Sequence, residues 1–392
     1  MTLNAFEIGL ISVLLFCFII QLMYLWVVLA KPYYYMRYIS KEKVYRFTSY
    51  PPVSIIIYTD NSSRDLNDFL PEILEQEYPE FEVIMVTDGI SDTNEEALIR
   101  FKNLYSNLYY TSVPGDTRNI SRKKLALTLG MKAAKYNKIL LTESDSRIKT
   151  KQWIYSMTRH FSDKKTIILG FSAVENSKYF LQRFISLDSL LSNFQLISFA
   201  LFNRPYAGNG RNLAYSKDHF IKQKGFVKFR TLKQGEDDLF INEIATKKNT
   251  AVELSADSVT LTEIKDFSEW RRRKVDRMTT KQFYKSGPVA FWRFETLTRI
   301  AFFISTVTCF FNSIPYDTMN CYILPGIALS FFIIRFSSQL FIINKTADYL
   351  QLEKFYLTIL LIDIFQPLFN IYFYTYRLVK EKDNYTYRYE KR

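Results

Sequence analysis

The chain has 392 residues, 48% of which are hydrophobic, so it can form one large or two ordinary domains with a sizeable core. Its three cysteines, Cys17, Cys309 and Cys321, lie in or beside apolar segments, which excludes a disulfide-stapled secreted domain in the middle of the chain and favours a reducing, cytoplasmic location. The net charge of +13 fits attraction to anionic lipid headgroups. Nucleic-acid binding is the alternative, but no recognised nucleic-acid motif accompanies the charge, so we expect no nucleic-acid partner.

The first predicted element is a membrane anchor. Residues 8–30 form an apolar stretch broken only by Gln21, which is long enough to cross a bilayer and longer than the apolar region of a signal peptide. No small-residue cleavage site follows, so we predict a retained anchor at 1–31. Glu7 is the only charged residue before Lys31, and basic residues then follow closely, which predicts that the N-terminus lies outside and the middle of the chain inside. Those basic residues are Lys31, Arg37, Lys41, Lys43 and Arg46.

The middle of the chain alternates between strand-like and helix-like segments. Continuous β-branched runs predict strands buried on both faces, and the segments between them have helical spacing. This alternation predicts an α/β fold with a Rossmann-like, mostly parallel sheet that is covered on both faces. The predicted strands are 53–58, 81–87, 108–113, 138–142 and 166–171, and the predicted helices are 67–76, 94–105 and 123–136.

Polar residues follow these strands at the edge where ligands of parallel sheets bind. Thr59, Asp60 and Asn61 follow the first strand, Asp88 the second, and Glu143, Ser144 and Asp145 the fourth. One acidic residue in such a place is commonly a turn or a helix cap, whereas acidic residues after three strands favour a ligand site. The pair Glu143 and Asp145 suits Mg²⁺ or Mn²⁺ completed by phosphates and water, and a capped turn is an equal alternative.

Three later motifs and the earlier residue Lys123 also have two interpretations each. Residues 235–239 (GEDDL) are either an ordinary helix N-terminus or the source of a general base. Residues 208–212 (GNGRN) are either loop punctuation or a backbone segment that approaches a ligand closely. The basic run 270–274 with Arg277 suits both pyrophosphate and lipid headgroups, and Lys123 is either a phosphate ligand or a solvated surface lysine.

Residues 177–206 carry apolar residues at helical spacing with few charges. They predict either an interfacial helix pair that seats the domain on the membrane beside an acceptor groove, or a helix buried within the domain.

The C-terminal third contains three more apolar segments, which predict membrane helices. The third segment is interrupted by Asp363, Gln366 and Pro367. Because the tail at 379–392 is basic, an even number of crossings should precede it. We therefore predict that the third segment is a re-entrant hairpin or an interfacial element. The three segments are 300–315, 322–343 and 355–376.

The order and spacing of these motifs resemble those of the family 2 membrane glycosyltransferases, which are inverting enzymes with a GT-A catalytic fold. The resemblance runs from about Pro51 to Arg299, in particular to the bacterial branch related to the poly-N-acetylglucosamine and cellulose synthases. Its most specific stretch is 74–92 (LEQEYPEFEVIMVTDGISD), which is similar to the family pattern L..Q.YP..E.I.VDDGS.D. The implied domains are the anchor at 1–31, a cytoplasmic GT-A domain at 48–290 with interfacial helices near 177–206 and 267–290, membrane or re-entrant helices at 296–378, and a basic cytoplasmic tail at 379–392.

The resemblance also implies roles for individual residues. Glu143 and Asp145 occupy the place of the family's Asp-x-Asp, which implies Asp145 as the metal ligand and Glu143 as a ribose-side or sugar-side carboxylate. Asp237, with Glu236 beside it, is in the place of the catalytic base. The other implied donor-binding residues are Thr59, Asn61, Asp88, Lys123, Arg273, Lys274 and Arg277, and the implied acceptor-binding residues are Gly208, Asn209, Gly210 and Asn212.

The implied function is inverting transfer of a hexosyl or N-acetylhexosaminyl group from a nucleotide-diphosphate sugar, with a UDP-sugar favoured, to a glycan or lipid-linked acceptor. The implied location is the cytoplasmic face of a bacterial inner membrane, with Mg²⁺ or Mn²⁺ as cofactor. Glu143 replaces the family's first Asp, and 273–277 (RKVDR) replaces its Gln-x-x-Arg-Trp element. These departures leave open a catalytically silent relative that binds nucleotide sugar or scaffolds a cell-envelope complex. Single transfer to a lipid-linked acceptor likewise stays open beside chain extension.

Overall fold

The computed structural model of the protein describes residues 4–40, 50–60, 64–115, 121–175, 177, 179–312 and 322–380. The chain divides into two compact units, each made of two stretches of sequence. The membrane unit comprises Met1–Tyr38 and Lys285–Tyr372, and the sheet unit comprises Ile39–Tyr284 and Phe373–Arg392. The candidate residue Asn61, the cysteine Cys321 and the tail from residue 381 lie outside the described residues. The domain boundaries stay predictions.

The sheet unit is built on a seven-stranded sheet with the order β3-β2-β1-β4-β8-β6-β9. The first four strands in the chain pair in parallel, β8 is antiparallel to β4 and β6, and a smaller sheet has the order β5-β10-β7. The mostly parallel sheet predicted from the alternation is therefore confirmed. The strands are β1 (Val53–Asp60), β2 (Phe81–Asp88), β3 (Leu108–Ser112), β4 (Lys138–Glu143), β5 (Ser146–Ile148), β6 (Ile167–Leu169), β7 (Ser172–Val174), β8 (Leu213–Ser216), β9 (Thr250–Val252) and β10 (Thr260–Thr262).

Helices cover this sheet with apolar faces. Phe69 and Ile73 of α3 belong to one buried core cluster with Ile55 and Ile57 of β1, so the β-branched strand residues are covered as their sequence pattern predicts. The helices of the sheet unit are α3 (Leu66–Leu74), α4 (Asp92–Leu104), α5 (Arg122–Ala133), α6 (Trp153–Thr158), α7 (Phe180–Leu201), α8 (Lys217–Lys222), α9 (Asp238–Ile244) and α10 (Phe267–Lys281).

Helix α5 lies very close to β1 because it carries a glycine at the contact. A Cβ atom added to Gly130 would lie 2.5 Å from Cγ2 of Ile56, so a larger residue would push the helix away from the sheet. This close packing fixes the N-terminal turn of α5, which carries Lys123.

The register of the parallel strands brings the acidic residues to one edge. Asp60 at the end of β1 is paired with Asp88 at the end of β2, and Tyr58 is paired with Glu143 at the end of β4. The prediction that carboxylates recur along one edge of the sheet is therefore confirmed.

Residues 180–201 form the single helix α7 rather than a pair of helices. The helix packs against β7 and β9, and 72% of its most apolar 18-residue window is buried within the protein. This is the arrangement of the buried-helix alternative, and contact of this segment with a membrane stays a prediction.

The membrane unit consists of long apolar helices. In the described part of the chain, five helices are long and apolar enough to cross a membrane, namely Ala5–Ile39, α7 and the three C-terminal helices. The chain is accordingly a membrane protein, as predicted. The helices of this unit are α1 (Ala5–Met23), continued through a π-helical segment (Tyr24–Leu29) into α2 (Lys31–Ile39), and α11 (Ser286–Phe311), α12 (Ile323–Tyr349) and α13 (Leu357–Lys380), the last of which ends in the sheet unit.

Helix α13 is continuous, so the structure replaces the predicted re-entrant hairpin with a single helix. The polar residues that suggested a hairpin have partners within the membrane unit. Asp363 accepts a hydrogen bond of 2.6 Å from Arg335, and Gln366 accepts one of 3.1 Å from Arg299. Pro367 lies within the helix, which neighbouring helices can accommodate.

Candidate active site

A pocket of about 1220 Å³ opens at the carboxyl edge of the seven-stranded sheet. The ends of β1 and β4 border it together with side chains of α5, α7 and α10 and the segment that leads into α9. Nine of the candidate residues line this pocket, namely Lys123, Glu143, Asp145, Asn209, Glu236, Asp237, Arg273, Lys274 and Arg277.

The carboxylates of this pocket are paired with basic side chains. Asp145 accepts hydrogen bonds from Arg211 at 2.7 and 3.1 Å and from Arg273 at 3.1 Å. Glu143 pairs with the same guanidinium at 2.9 Å and with Lys123 at 2.8 Å. Arg211 therefore bridges the two carboxylates that sequence singled out.

Lys123 links this pair to the second acidic motif, because its ammonium also contacts Glu236 at 2.7 Å. The side chain of Glu236 is only 2% exposed, and its Oε2 atom is buried without a hydrogen-bond partner. A buried carboxylate oxygen in this condition is costly unless a ligand satisfies it. We call Lys123, Glu143, Asp145, Arg211, Glu236, Asp237 and Arg273 the charged centre.

Asp237 is held rigidly at the start of α9. Its Oδ1 accepts from the backbone N–H of Asp238 at 2.7 Å, and its Oδ2 accepts from the backbone N–H of Gly210 at 2.8 Å. A Cβ on Gly210 would lie 3.3 Å from the Asp237 side chain, so the glycine lets this side chain approach the Gly210 backbone closely. The motifs 208–212 and 235–239 thus meet at one carboxylate.

The cations alter the protonation of this centre. Burial alone would raise the pKa of the Asp145 carboxyl, but Arg211 and then Arg273 outweigh it and lower the pKa to about 2. Burial lowers the pKa of Lys123, but Glu143 and Glu236 raise it well above its usual value. The Asp145 carboxylate and the Lys123 ammonium are therefore both charged at neutral pH.

Buried residues behind the charged centre hold the segment that leads into α9. The ammonium of Lys124, which is 0% exposed, donates to the carbonyls of Phe229 at 2.8 Å, Leu232 at 2.5 Å and Gln234 at 2.8 Å. The buried Asp238 accepts from the hydroxyl of Tyr284 at 2.6 Å and from that of Thr280. Burial, followed by the charge of Asp237, raises the pKa of Asp238 to about 6.

Five candidate residues do not line the pocket. Thr59 is buried in β1, and Asp88 accepts from Tyr58 at 3.2 Å and from Arg122 at 2.5 Å. Asn212 is buried and donates to the carbonyls of Phe171 at 2.8 Å and Ser258 at 2.6 Å, which is a structural arrangement. Gly208 packs on Ile241, where an added Cβ would lie 2.8 Å from Cγ1, and Gly210 contacts Asp237 through its backbone.

Several charged residues that line the pocket have no individual role in the sequence interpretation, among them Asp60, Asp188 and Arg211. Asp188 projects from α7, pairs with Lys274 and accepts from the indole N–H of Trp270 at 3.1 Å. Arg211 lies in the motif GNGRN, just before a buried strand. A charged residue in that place indicates a side chain that faces a ligand or an ion-pair partner at the end of the sheet. Asp188 gave less signal, because it is one charged residue in a long apolar helix.

Carboxylate oxygens suit a hard divalent cation, and the buried unpaired oxygen of Glu236 shows spare acceptor capacity in this centre. Among the residues that the structure describes, no group of three or more His, Cys, Asp or Glu side chains is placed to hold a metal ion. Mg²⁺ is usually bound by one or two protein carboxylates and completed by the phosphates of a ligand, and the carboxylates Glu143 and Asp145 at the pocket wall suit that arrangement.

Comparison with known proteins places these features in context. Residues 54–224 match the family model of glycosyl transferase family 2. Two poly-beta-1,6-N-acetyl-D-glucosamine synthases of Staphylococcus epidermidis are 30% identical over 96 residues, which is 24% of this chain. That match spans only 22% of the length of each relative.

Among solved structures, the fold resembles that of the mannosyltransferase PcManGT from Pyrobaculum calidifontis, which was solved with GDP-Man and Mn²⁺. The TM-score is 0.51 at 15% identity, and the likeness covers 86% of this chain and 99% of that one. The GT-A fold expected from the sequence is thereby confirmed.

Proposed function

We propose that this chain, which belongs to glycosyltransferase family 2, moves a sugar with inversion from a nucleotide-diphosphate sugar to a hydroxyl of a glycan or lipid-linked acceptor. The observation that carries the proposal is the charged centre, in which four carboxylates and three cations line one pocket at the ligand edge of the sheet. Such a centre can both accept a proton and neutralise a diphosphate leaving group.

Asp237 is the proposed catalytic base. Two backbone N–H groups fix its carboxylate at the pocket wall, so it can take the proton of an acceptor hydroxyl without rearrangement. The hydroxyl oxygen forms a bond to the anomeric carbon from the face opposite the diphosphate. The bond from that carbon to the diphosphate breaks, and its electron pair leaves with the phosphate oxygen.

The cations of the pocket are proposed to hold the donor diphosphate. Lys123 and Arg273 belong to the charged centre, and Lys274 and Arg277 line the same pocket from α10. Asp145 would hold Mg²⁺ or Mn²⁺, which when bound supplies further positive charge to the departing diphosphate. Glu143 is proposed to face the ribose or the sugar.

The proposed location is a bacterial inner membrane, with the sheet unit on the cytoplasmic side. The support is the charge pattern around the N-terminal helix, since Lys31 and Arg37 follow the apolar segment and only Glu7 precedes it. A UDP-sugar is the proposed donor, because the resemblance of residues 74–92 to the family pattern implies it.

The test is transfer from radiolabelled nucleotide sugars by the purified full-length protein in lipid nanodiscs, with Mn²⁺ present. We expect Asp237→Asn to lower the rate by about 10²–10⁴-fold, because Asn cannot accept the proton. Asp257→Asn, which alters an exposed carboxylate elsewhere in the sheet unit, serves as the control and should retain full activity.

Transfer by Asp237→Asn at the wild-type rate would refute the assignment of the base. Donor binding by the wild type without transfer or donor hydrolysis would favour the silent alternative. A thermal-shift screen of nucleotide sugars distinguishes these cases, because a ligand of the folded state raises its apparent stability.

A further inference from the structure

Arg211 contacts the carboxylate that is proposed to hold the metal ion. Its guanidinium contacts both oxygens of Asp145, at 3.1 and 2.7 Å, and one oxygen of Glu143, at 2.9 Å. A divalent ion that bound Asp145 would therefore compete with a guanidinium that is already in a two-point contact, which is a strong form of ion pair.

The backbone of Arg211 is anchored, so only its side chain can yield. Its N–H donates to the side chain of Asn209 at 3.2 Å, and its carbonyl accepts from the hydroxyls of Thr142 at 3.1 Å and Thr260 at 3.3 Å. The side chain is 22% exposed and lines the pocket, so it can rotate away from Asp145 without disturbing β8.

Charge decides when that rotation is favourable. The three cations of the charged centre already offset most of the charge of its four carboxylates. A dication on Asp145 alone would take from Arg211 its two-point contact and leave it close to Lys123 and Arg273 with only Glu143 as a paired carboxylate, which is unfavourable in a partly buried site. A nucleoside diphosphate brings negative charge for the displaced guanidinium, so the dication and the diphosphate each remove the cost of binding the other.

We propose that Arg211 is a built-in counter-ion that keeps divalent metal off Asp145 until the nucleotide sugar arrives, and that it then binds the donor diphosphate. This inference rests on the proposed function and adds to it that metal and donor bind cooperatively. By linkage, the factor by which the nucleotide strengthens metal binding equals the factor by which the metal strengthens nucleotide binding.

The experiment measures Mn²⁺ affinity of the purified full-length protein by electron paramagnetic resonance, with and without UDP. For the wild type we expect UDP to strengthen Mn²⁺ binding by at least about tenfold, within the usual range of coupling between sites. For Arg211→Gln we expect Mn²⁺ without nucleotide to bind about tenfold more tightly than to the wild type, and UDP to have a smaller effect. Arg147→Gln removes an exposed ion pair to Glu175 outside the charged centre and should behave as the wild type.

Nucleotide-free Mn²⁺ affinity of Arg211→Gln that equals or falls below that of the wild type would overturn the inference, while UDP binding by both proteins would leave the proposed function standing. A wild type that binds neither UDP nor the pair UDP and Mn²⁺ would overturn both. Should Arg211→Gln fail to fold, Arg211→Lys keeps the positive charge but loses the two-point contact, and we expect it to strengthen nucleotide-free Mn²⁺ binding by a smaller factor.

Discussion

Each unit of the protein holds an aspartate between two arginines, and the two clusters differ in what surrounds them. The aspartate of the sheet unit, Asp145, lines a pocket of about 1220 Å³ and is 22% exposed. The aspartate of the membrane unit, Asp363, is 1% exposed and lies on an apolar helix. The arginines are Arg211 and Arg273 in the first case, at 2.7 and 3.1 Å, and Arg335 and Arg299 in the second, at 2.6 and 3.4 Å.

Both oxygens of the carboxylate in the membrane unit are satisfied. Both oxygens of Asp363 accept hydrogen bonds, one from Arg335 at 2.6 Å and the other from Gln339 at 3.1 Å. Arg335 also donates to Gln21 at 3.1 Å, and its guanidinium lies 5.6 Å from the ring centre of Phe302. A buried polar network whose members satisfy one another fixes the relative positions of the helices that carry it.

The cluster of the sheet unit has capacity to spare. One oxygen of Glu236 is buried without a partner, and the neighbouring carboxylates face open space rather than apolar side chains. The same residue types thus serve structure where both oxygens of the carboxylate are satisfied in a buried core, and mark a ligand site where a carboxylate oxygen remains unsatisfied beside a cavity.

The largest expected effect comes from removing the buried carboxylate of the membrane unit. Asp363→Ala leaves Arg335 and Arg299 buried without their shared carboxylate, and we expect a loss of about 3–5 kcal/mol in the free energy of unfolding. The measurement is the thermal unfolding midpoint of the detergent-solubilised protein. The control is Asp348→Ala, which removes an exposed ion pair to Lys354 in the same unit and should have little effect.

Asp145→Ala is the matched change in the open cluster. We expect a smaller loss in the free energy of unfolding than for Asp363→Ala, about 1–2 kcal/mol, because water in the pocket can hydrate the released guanidiniums. Equal losses of stability in Asp145→Ala and Asp363→Ala would show that the contrast between the two clusters is wrong.

The sequence predicted the sheet and its ligand edge, but not the ion pairs of the membrane unit. The β-branched runs and the acidic residues after them predicted the parallel sheet and its ligand edge, because strand period and crossover direction are local properties. The pairing of Asp363 with Arg335 could not be predicted in this way, since it depends on which faces of two helices meet. The polar residues of 363–367 therefore suggested a hairpin, whereas they are partners of arginines within one helix bundle.

The site shows the same limit at the level of single residues. The motifs 208–212 and 235–239 were both candidates, but their meeting at Asp237 and Gly210 is a tertiary contact that sequence spacing does not contain. In the motif 208–212, the glycines predict a close backbone approach to a ligand, and nothing in the spacing predicts a role for Arg211. Its role depends on a distance to Asp145 that only the fold supplies.

A smaller effect concerns the buried Asp238, which accepts hydrogen bonds from the hydroxyls of Thr280 and Tyr284 and from the backbone N–H of Leu239. Burial and the charge of Asp237 raise the pKa of Asp238 to about 6, whereas an aspartate in the unfolded chain has a pKa of about 3.9. The folded protein then binds this proton more tightly than the unfolded chain, so the contribution to stability is full below about pH 4 and falls as the pH rises through 6.

Asp238→Asn removes the group that titrates. We expect the free energy of unfolding of the wild type to fall relative to that of the variant by about 3 kcal/mol between pH 4 and pH 7, which corresponds to the two-unit shift in pKa. The measurement is the melting temperature of both proteins across this range. Parallel curves would show that Asp238 is satisfied as an anion, like Asp363.

Another small effect distinguishes two adjacent lysines of α5. Lys123 belongs to the charged centre, where it pairs with Glu143 and Glu236. Lys124 is buried behind that centre and donates to the carbonyls of Phe229, Leu232 and Gln234. Lys124→Met leaves these carbonyls without their donor. Because the change also removes a buried ammonium that is costly to desolvate, we expect a net loss of only about 1–2 kcal/mol in the free energy of unfolding.

The functional consequence of Lys124→Met follows from where those carbonyls lead. They belong to the segment that runs into Glu236 and Asp237, so a loosened segment displaces the proposed base while Lys123 still binds the donor diphosphate. We therefore expect kcat for sugar transfer to fall with little change in the donor KM, whereas Lys132→Met, on the exposed last turn of the same helix, should change neither. A rise in donor KM at unchanged kcat would instead place Lys124 with the diphosphate ligands and erase the difference between the two lysines.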